Sequence, residues 1–150
     1  QMIRRPNNHK IFSKNILTFS LILLFSCKNS DQINGIWERQ NDSFKGMRVE
    51  IKSLNDYPNG LIIFSPDSAI LGGFVTADVK WKDIRKLNDK NYEFEDLTKS
   101  VDDLGKIHET EYSLSRLFFL NDSIITIRGY TKGKEWIGTE QTWKRVSLEK

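Results

Sequence analysis

Met47-Arg48-Val49-Glu50-Ile51-Lys52 alternates apolar and charged side chains without a break. A period of two puts Met47, Val49 and Ile51 on one face and the charges on the other, as in a strand with one side buried. The same alternation recurs downstream. Val79 and Trp81 alternate with Lys80 and Lys82, Tyr92 and Phe94 with Glu93 and Glu95, and Tyr112 and Leu114 with Glu111, Ser113 and Ser115. Three further runs, Leu61 to Phe64, Leu117 to Leu120 and Ile124 to Ile127, are more continuously apolar, short, and rich in β-branched and aromatic residues, which suits a pleated, buried surface.

The punctuation between these segments is turn chemistry. Asn59-Gly60, Asn88-Asp89, Asn121-Asp122 and Lys132-Gly133 supply residues that tolerate the positive φ of hairpin turns. Leu87 to Tyr92 and Leu120 to Ile124 read as two versions of one tight hairpin. The spacing predicts about eight strands in meander order: 34–40, 45–53, 60–65, 70–77, 78–86, 91–98, a long hairpin of 107–120 with 123–130, and 135–146. The acidic stretch Leu97 to Leu104 fits a helix or an exposed loop. Short strands at such intervals make an all-β sandwich or barrel.

Gly35-Ile36-Trp37 opens the first strand, and Arg145 follows Trp143 near the end of the last. This pairing resembles the Gly-x-Trp motif and late arginine of lipocalins and related calycin barrels. The resemblance implies a single antiparallel up-and-down β-barrel. In it Gly35 lets the first strand bend, Trp37 plugs the closed end, and Arg145 stacks over the indole.

The N-terminal segment has a different character. Ile16 to Phe25 is a ten-residue, mostly apolar run, preceded by Arg4, Arg5, Lys10 and Lys14 with no acid before Cys27. Such a basic head and short apolar run form a secretory signal, too short for a bilayer span, which needs about 20 apolar residues. Leu24-Phe25-Ser26-Cys27 resembles the lipobox of bacterial lipoproteins. That resemblance implies cleavage before Cys27, the only cysteine, and transfer to its thiol of a diacylglycerol carrying palmitate-type chains. The expected organisation is a signal peptide over 1–26, a lipidated tether over 27–33 and a lipocalin-like domain over 34–150. Lys28 directly after the cysteine favours, by the same resemblance, the outer membrane of a Bacteroidetes-like cell envelope, with its periplasmic and surface faces both open. Asp67-Ser68-Ala69 and Asp122-Ser123-Ile124 also resemble the O-glycosylation triplet of that group.

Charge follows the same division. The whole chain has 23 Lys and Arg against 20 Asp and Glu, a formal net charge of +3. Four of those cations lie in the signal, so 19 face 20 acids in the remainder, a net of −1. The basic footprint expected of a nucleic-acid-binding protein is therefore missing, and no nucleic-acid partner is expected. With one cysteine no internal disulfide can form.

Catalytic signatures are lacking too. Beyond the signal, His108 is the only histidine, so a multi-His or Cys zinc site is not expected. No nucleophile elbow, phosphate loop or dinucleotide fingerprint occurs, and the protein is not expected to be an enzyme or to carry a cofactor. Glu93, Glu95, Glu109 and Glu111 are expected on solvated faces. Asp96, Thr98, His108 and Thr110 continue the Tyr92/Phe94 and Tyr112/Leu114 faces. They are expected to point into the barrel near one mouth, where a ligand site places its few polar groups. Trp81, Arg116, Tyr130 and Trp136 either line the same cavity or fill the core. The expected function is a lipid-anchored envelope binding module holding a small apolar ligand or lipid. The alternative is an envelope interaction or scaffold lipoprotein with a protein partner and no small-molecule ligand.

Overall fold

A computed structural model of the chain describes residues 31–52, 57–131, 133 and 135–147. The segment expected to be a signal peptide, Cys27 and residues 28–30 of the expected tether lie outside the described residues. Strands β1 (Gly35–Arg39), β2 (Arg48–Ile51), β3 (Gly60–Phe64), β4 (Val79–Asn88), β5 (Asn91–Val101), β6 (Ile107–Asn121), β7 (Ile124–Tyr130) and β8 (Trp136–Val146) follow one another, with α1 (Asp67–Leu71) between β3 and β4. Each strand pairs with the next, and β8 returns to β1, closing an all-β, eight-stranded, antiparallel up-and-down barrel. Closure gives each of the eight strands a partner on both sides.

Two hairpins share one local device. Asn88 Oδ1 accepts the Lys90 amide at 3.0 Å, and Asn121 Oδ1 accepts the Ser123 amide at 2.9 Å. These side chains mimic a backbone turn, which is why the two sequence segments look alike.

Two expectations are corrected. Residues 70–77 are not a strand, because Asp67–Leu71 forms α1 and the chain then loops to β4. Pro66 stands just before the helix, Gly72 ends it, and Gly73 turns with φ at +85°. The β3–β4 ladder is already made by Gly60↔Trp81 and Leu61↔Val79, so nothing is left for an intervening strand to pair with. The stretch 97–104 is neither helix nor plain loop. It continues β5 to Val101 and then turns, with Asp102 Oδ1 accepting the amides of Leu104 at 2.9 Å and Lys106 at 2.8 Å.

Trp37, Trp81, Trp143, Tyr92 and Phe94 are buried inside the barrel. Trp81 meets Trp143 edge to face at 4.8 Å, and Trp37 meets Phe119 at 5.8 Å. Residues 31–34 cross one end: Ile33 is buried and its carbonyl accepts the Trp37 indole N–H at 2.9 Å. Gln32 Nε2 donates to Asp122 at 3.1 Å, and the Tyr92 hydroxyl donates to Asp31, tying this cover to the β6–β7 turn and to the first residues of β5. That end is closed. The loops β1–β2, β3–β4, β5–β6 and β7–β8 surround the other.

Candidate functional site

At the loop end the barrel opens into a cavity of about 470 Å³. Its origin is a run of small inward residues. Phe94 pairs with Ser115, Asp96 with Ser113 and Thr98 with Glu111, and Ser115 pairs with Gly129 across to β7. Directly opposed residues of an antiparallel pair share a face. Below this level the inward positions are Tyr92 opposite Leu117; above it they are serine, serine and glycine. Aromatic filling therefore stops at Phe94, and space begins.

A polar cluster adjoins the cavity, with Arg39, Asp96 and Gln141 lining it and Lys80 behind them. Lys80 Nζ lies 2.5 Å from Asp96 Oδ1 and 2.6 Å from the Leu97 carbonyl oxygen, and both side chains are buried. Gln141 Nε2 donates to Asp96 Oδ2 at 3.1 Å, while Gln141 Oε1 accepts from Arg39 at 2.8 Å and from the Trp143 indole at 3.2 Å. Arg39 also pairs with Asp42 and lies 5.4 Å from the centre of the Trp143 ring. Burial pushes the Lys80 ammonium below the ordinary lysine range, and the adjacent Asp96 charge opposes that shift. An ion pair is held at this depth only because further hydrogen bonds satisfy both partners.

Of the four predicted mouth residues, two come together. Asp96 and Thr98 both line the cavity. His108 and Thr110 do not. Thr110 pairs with Lys99, one step out of phase with Thr98↔Glu111, so it faces outward; both His108 and Thr110 are exposed, and His108 lies 3.5 Å from Asp102. The physical reason is a parity reversal within β6. Tyr112 and Leu114 are apolar at even positions, but Leu117 and Phe119 at odd positions are the buried ones and set the register. Glu111, expected on the solvated face, consequently lines the mouth. No motif in the sequence marks Arg39, Lys80, Gln141, Ser113 or Ser115 as site residues. Only the inconsistent parity of β6 hinted at the serines. Trp81 is buried in the core, whereas Arg116, Tyr130 and Trp136 lie on the outer wall.

Gly35, Trp37 and Arg145 meet at the closed end. Gly35 has φ at +134°, and the Arg145 guanidinium lies 4.3 Å over the Trp37 ring. A side chain at position 35 would strike Arg145, whose Nη1 lies 2.6 Å from where a Cβ would sit.

Among the described residues no group of three or more His, Cys, Asp or Glu side chains is placed to hold a metal ion. No protein-family model, no curated protein and no solved structure matches the chain.

Proposed function

We propose that this protein is a lipid-anchored binding module of the cell envelope, a lipocalin-like barrel that takes one small, partly apolar ligand through its open end. The observation that carries this reading is the contrast between the two ends: an aromatic plug below Phe94, and a cavity of about 470 Å³ above it. A cavity of that size suits a small molecule. Its walls suit a ligand with two characters. Phe44 and Ile137 offer apolar contact, while Arg39, Gln141, Asp96 and the Ser113/Ser115 wall offer donors and acceptors.

The anchor fits the same geometry. Three residues, Lys28 to Ser30, separate Cys27 from Asp31 at the closed end, and the four Cα-to-Cα steps reach about 14 Å when extended. Acyl chains on Cys27 would hold the closed end near the bilayer and turn the open end away from it. Radiolabelled palmitate should enter the wild-type protein and not a Cys27→Ala variant.

The binding reading is tested by native mass spectrometry of the envelope-extracted protein and by titration with an environment-sensitive amphiphile such as anilinonaphthalene sulfonate. One saturable site, weakened by Gln141→Leu, is expected. A protein that stays at its lipidated mass and takes up no probe would overturn the proposal.

A scaffold role is the second reading, favoured by one observation. Leu71 at the end of α1 and Leu104 in the β5–β6 turn, 72% and 92% exposed, stand at the open end, where the anchor would direct them away from the membrane. Crosslinking in cells followed by purification tests it: a recurrent protein partner supports the scaffold, and a solitary protein counts against it.

A further inference from the structure

The outer wall holds a charge arrangement that the cavity does not explain. Arg85 on β4, Glu93 on β5, Arg116 on β6 and Arg128 on β7 stand in one row across four strands, each directly opposite the next. Glu93 is the single acid in that row. It receives Arg85 at 2.8 Å, Arg116 at 3.3 Å and the hydroxyl of Tyr130. Among the described residues the Arg128 side chain is assigned to no ion pair, and its Nε is buried without a hydrogen-bond partner. The Nε of Arg116 is likewise buried without a partner. Like charges directly opposite each other on a sheet repel. Three guanidinium groups against one carboxylate leave a surplus of two positive charges.

Beside the row is an aromatic cluster. Trp136 is opposite Tyr130 and meets it at 5.9 Å, and Phe118 meets Trp136 at 5.5 Å. Arg116 lies 4.6 Å over the Tyr130 ring, which fixes the direction of its guanidinium. Trp136 is 43% exposed, whereas Trp37, Trp81 and Trp143 are fully buried.

We propose that Arg116 and Arg128, with Arg85 and Trp136 beside them, form a binding site for a phosphate monoester on the outer wall of the barrel. A phosphate monoester has a charge of about −1.5 to −2 at neutral pH, which matches the surplus; a carboxylate neutralises half of it. Guanidinium groups offer paired N–H donors that fit phosphate oxygens two at a time. The Trp136 face then covers the organic part of the ester. This site is independent of the mouth.

The test follows tryptophan fluorescence of the full chain during titration with inorganic phosphate and with glycerol 3-phosphate, in low salt. Trp136 is the exposed reporter, so the signal should saturate and vanish in Trp136→Phe. Phosphorus NMR line broadening, which needs no tryptophan, should persist in that variant. Arg128→Gln should weaken binding about tenfold or more, Arg128→Lys should weaken it less, and Gln141→Leu at the mouth should leave it unchanged. A parallel arm compares Cys27→Ala with Cys27→Ala/Arg128→Gln on vesicles of phosphatidylcholine with and without phosphatidic acid. Arg128-dependent binding of the soluble esters alone assigns a soluble ligand, and Arg128-dependent capture by the phosphatidic acid vesicles assigns a lipid headgroup. Arg128→Gln that melts like the wild type but binds phosphate equally well overturns the proposal, as does a wild-type protein that binds neither.

Discussion

Arg145 lies 4.3 Å over the Trp37 ring and, from the same guanidinium, donates to the Asn34 and Gln32 carbonyls at 2.5 Å each and to the Asp122 carbonyl at 3.0 Å. One side chain thus pins the N-terminal cover, the first strand and the β6–β7 turn together. Replacing it by alanine removes the stacking and leaves those carbonyls to water. Arg145→Ala is expected to destabilise the barrel by about 2 kcal/mol in urea unfolding. Lysine, a point charge without the planar fork, should recover less than half of the loss.

The buried Lys80–Asp96 pair gives a different signature. Lys80→Met alone leaves the Asp96 carboxylate buried beside Gln141 without its cation, and a loss of about 3 kcal/mol or more is expected. The double variant Lys80→Met/Asp96→Leu should recover most of that loss, because it removes both buried charges. A double-mutant cycle by chemical denaturation measures the coupling; additive losses would mean the two groups do not act as a pair.

Acid sensitivity should pass through Glu93. The Tyr130 hydroxyl, with Arg116 and Arg85, holds its carboxyl below the ordinary value of 4.5, against the opposing effect of burial. A carboxyl whose folded pKa is depressed contributes stability that is complete above its unfolded pKa and lost as pH falls through the folded one. Glu93→Gln should therefore lower stability near neutral pH and flatten its fall below about pH 4.5. Urea midpoints measured across that range check the slope.

Ala77 has φ at +75°, in a region that an L side chain enters at a penalty of about 1–2 kcal/mol. Its amide bonds the Ile62 carbonyl at 2.8 Å, so the backbone must stay there. Ala77→Gly relieves the side-chain clash but frees the unfolded chain, for a net gain of about 0.5 kcal/mol. A raised melting temperature is the expected reading.

Around the mouth, substitution should separate inward from outward positions. Ser113→Leu places a large side chain in the cavity and should weaken probe binding by about tenfold or more. His108→Ala and Thr110→Ala, on the outer face, should leave it unchanged. Loss of binding in the latter pair would show that the site lies elsewhere.

Much of the architecture could be read before any coordinates. Period-two alternation at Met47 to Lys52 and Tyr92 to Glu95 fell in strands, and the paired Asn-Asp turns became the hairpins they resembled. Failure came where local and distant preferences disagreed. Ile70 to Val75 is apolar enough for a strand, but Gly72-Gly73 and a completed β3–β4 ladder left it as a helix end and loop. Tyr112 and Leu114 suggested one face for β6, and the deeper packing of Leu117 and Phe119 imposed the other.

Residue order alone dictates a sheet-built body, because side-chain alternation and turn residues act within a few positions of one another. It also carries the pairing of Gly35-x-Trp37 with a late arginine, since that motif is compact at each end. Which strand faces lie inside, where the aromatic filling stops, and which acid meets Lys80 or Arg116 depend on registers between strands far apart in the chain. Those registers exist only after the barrel closes, when burying Leu117 and Phe119 outweighs the local pattern and commits every other residue of β6 to one wall or the other.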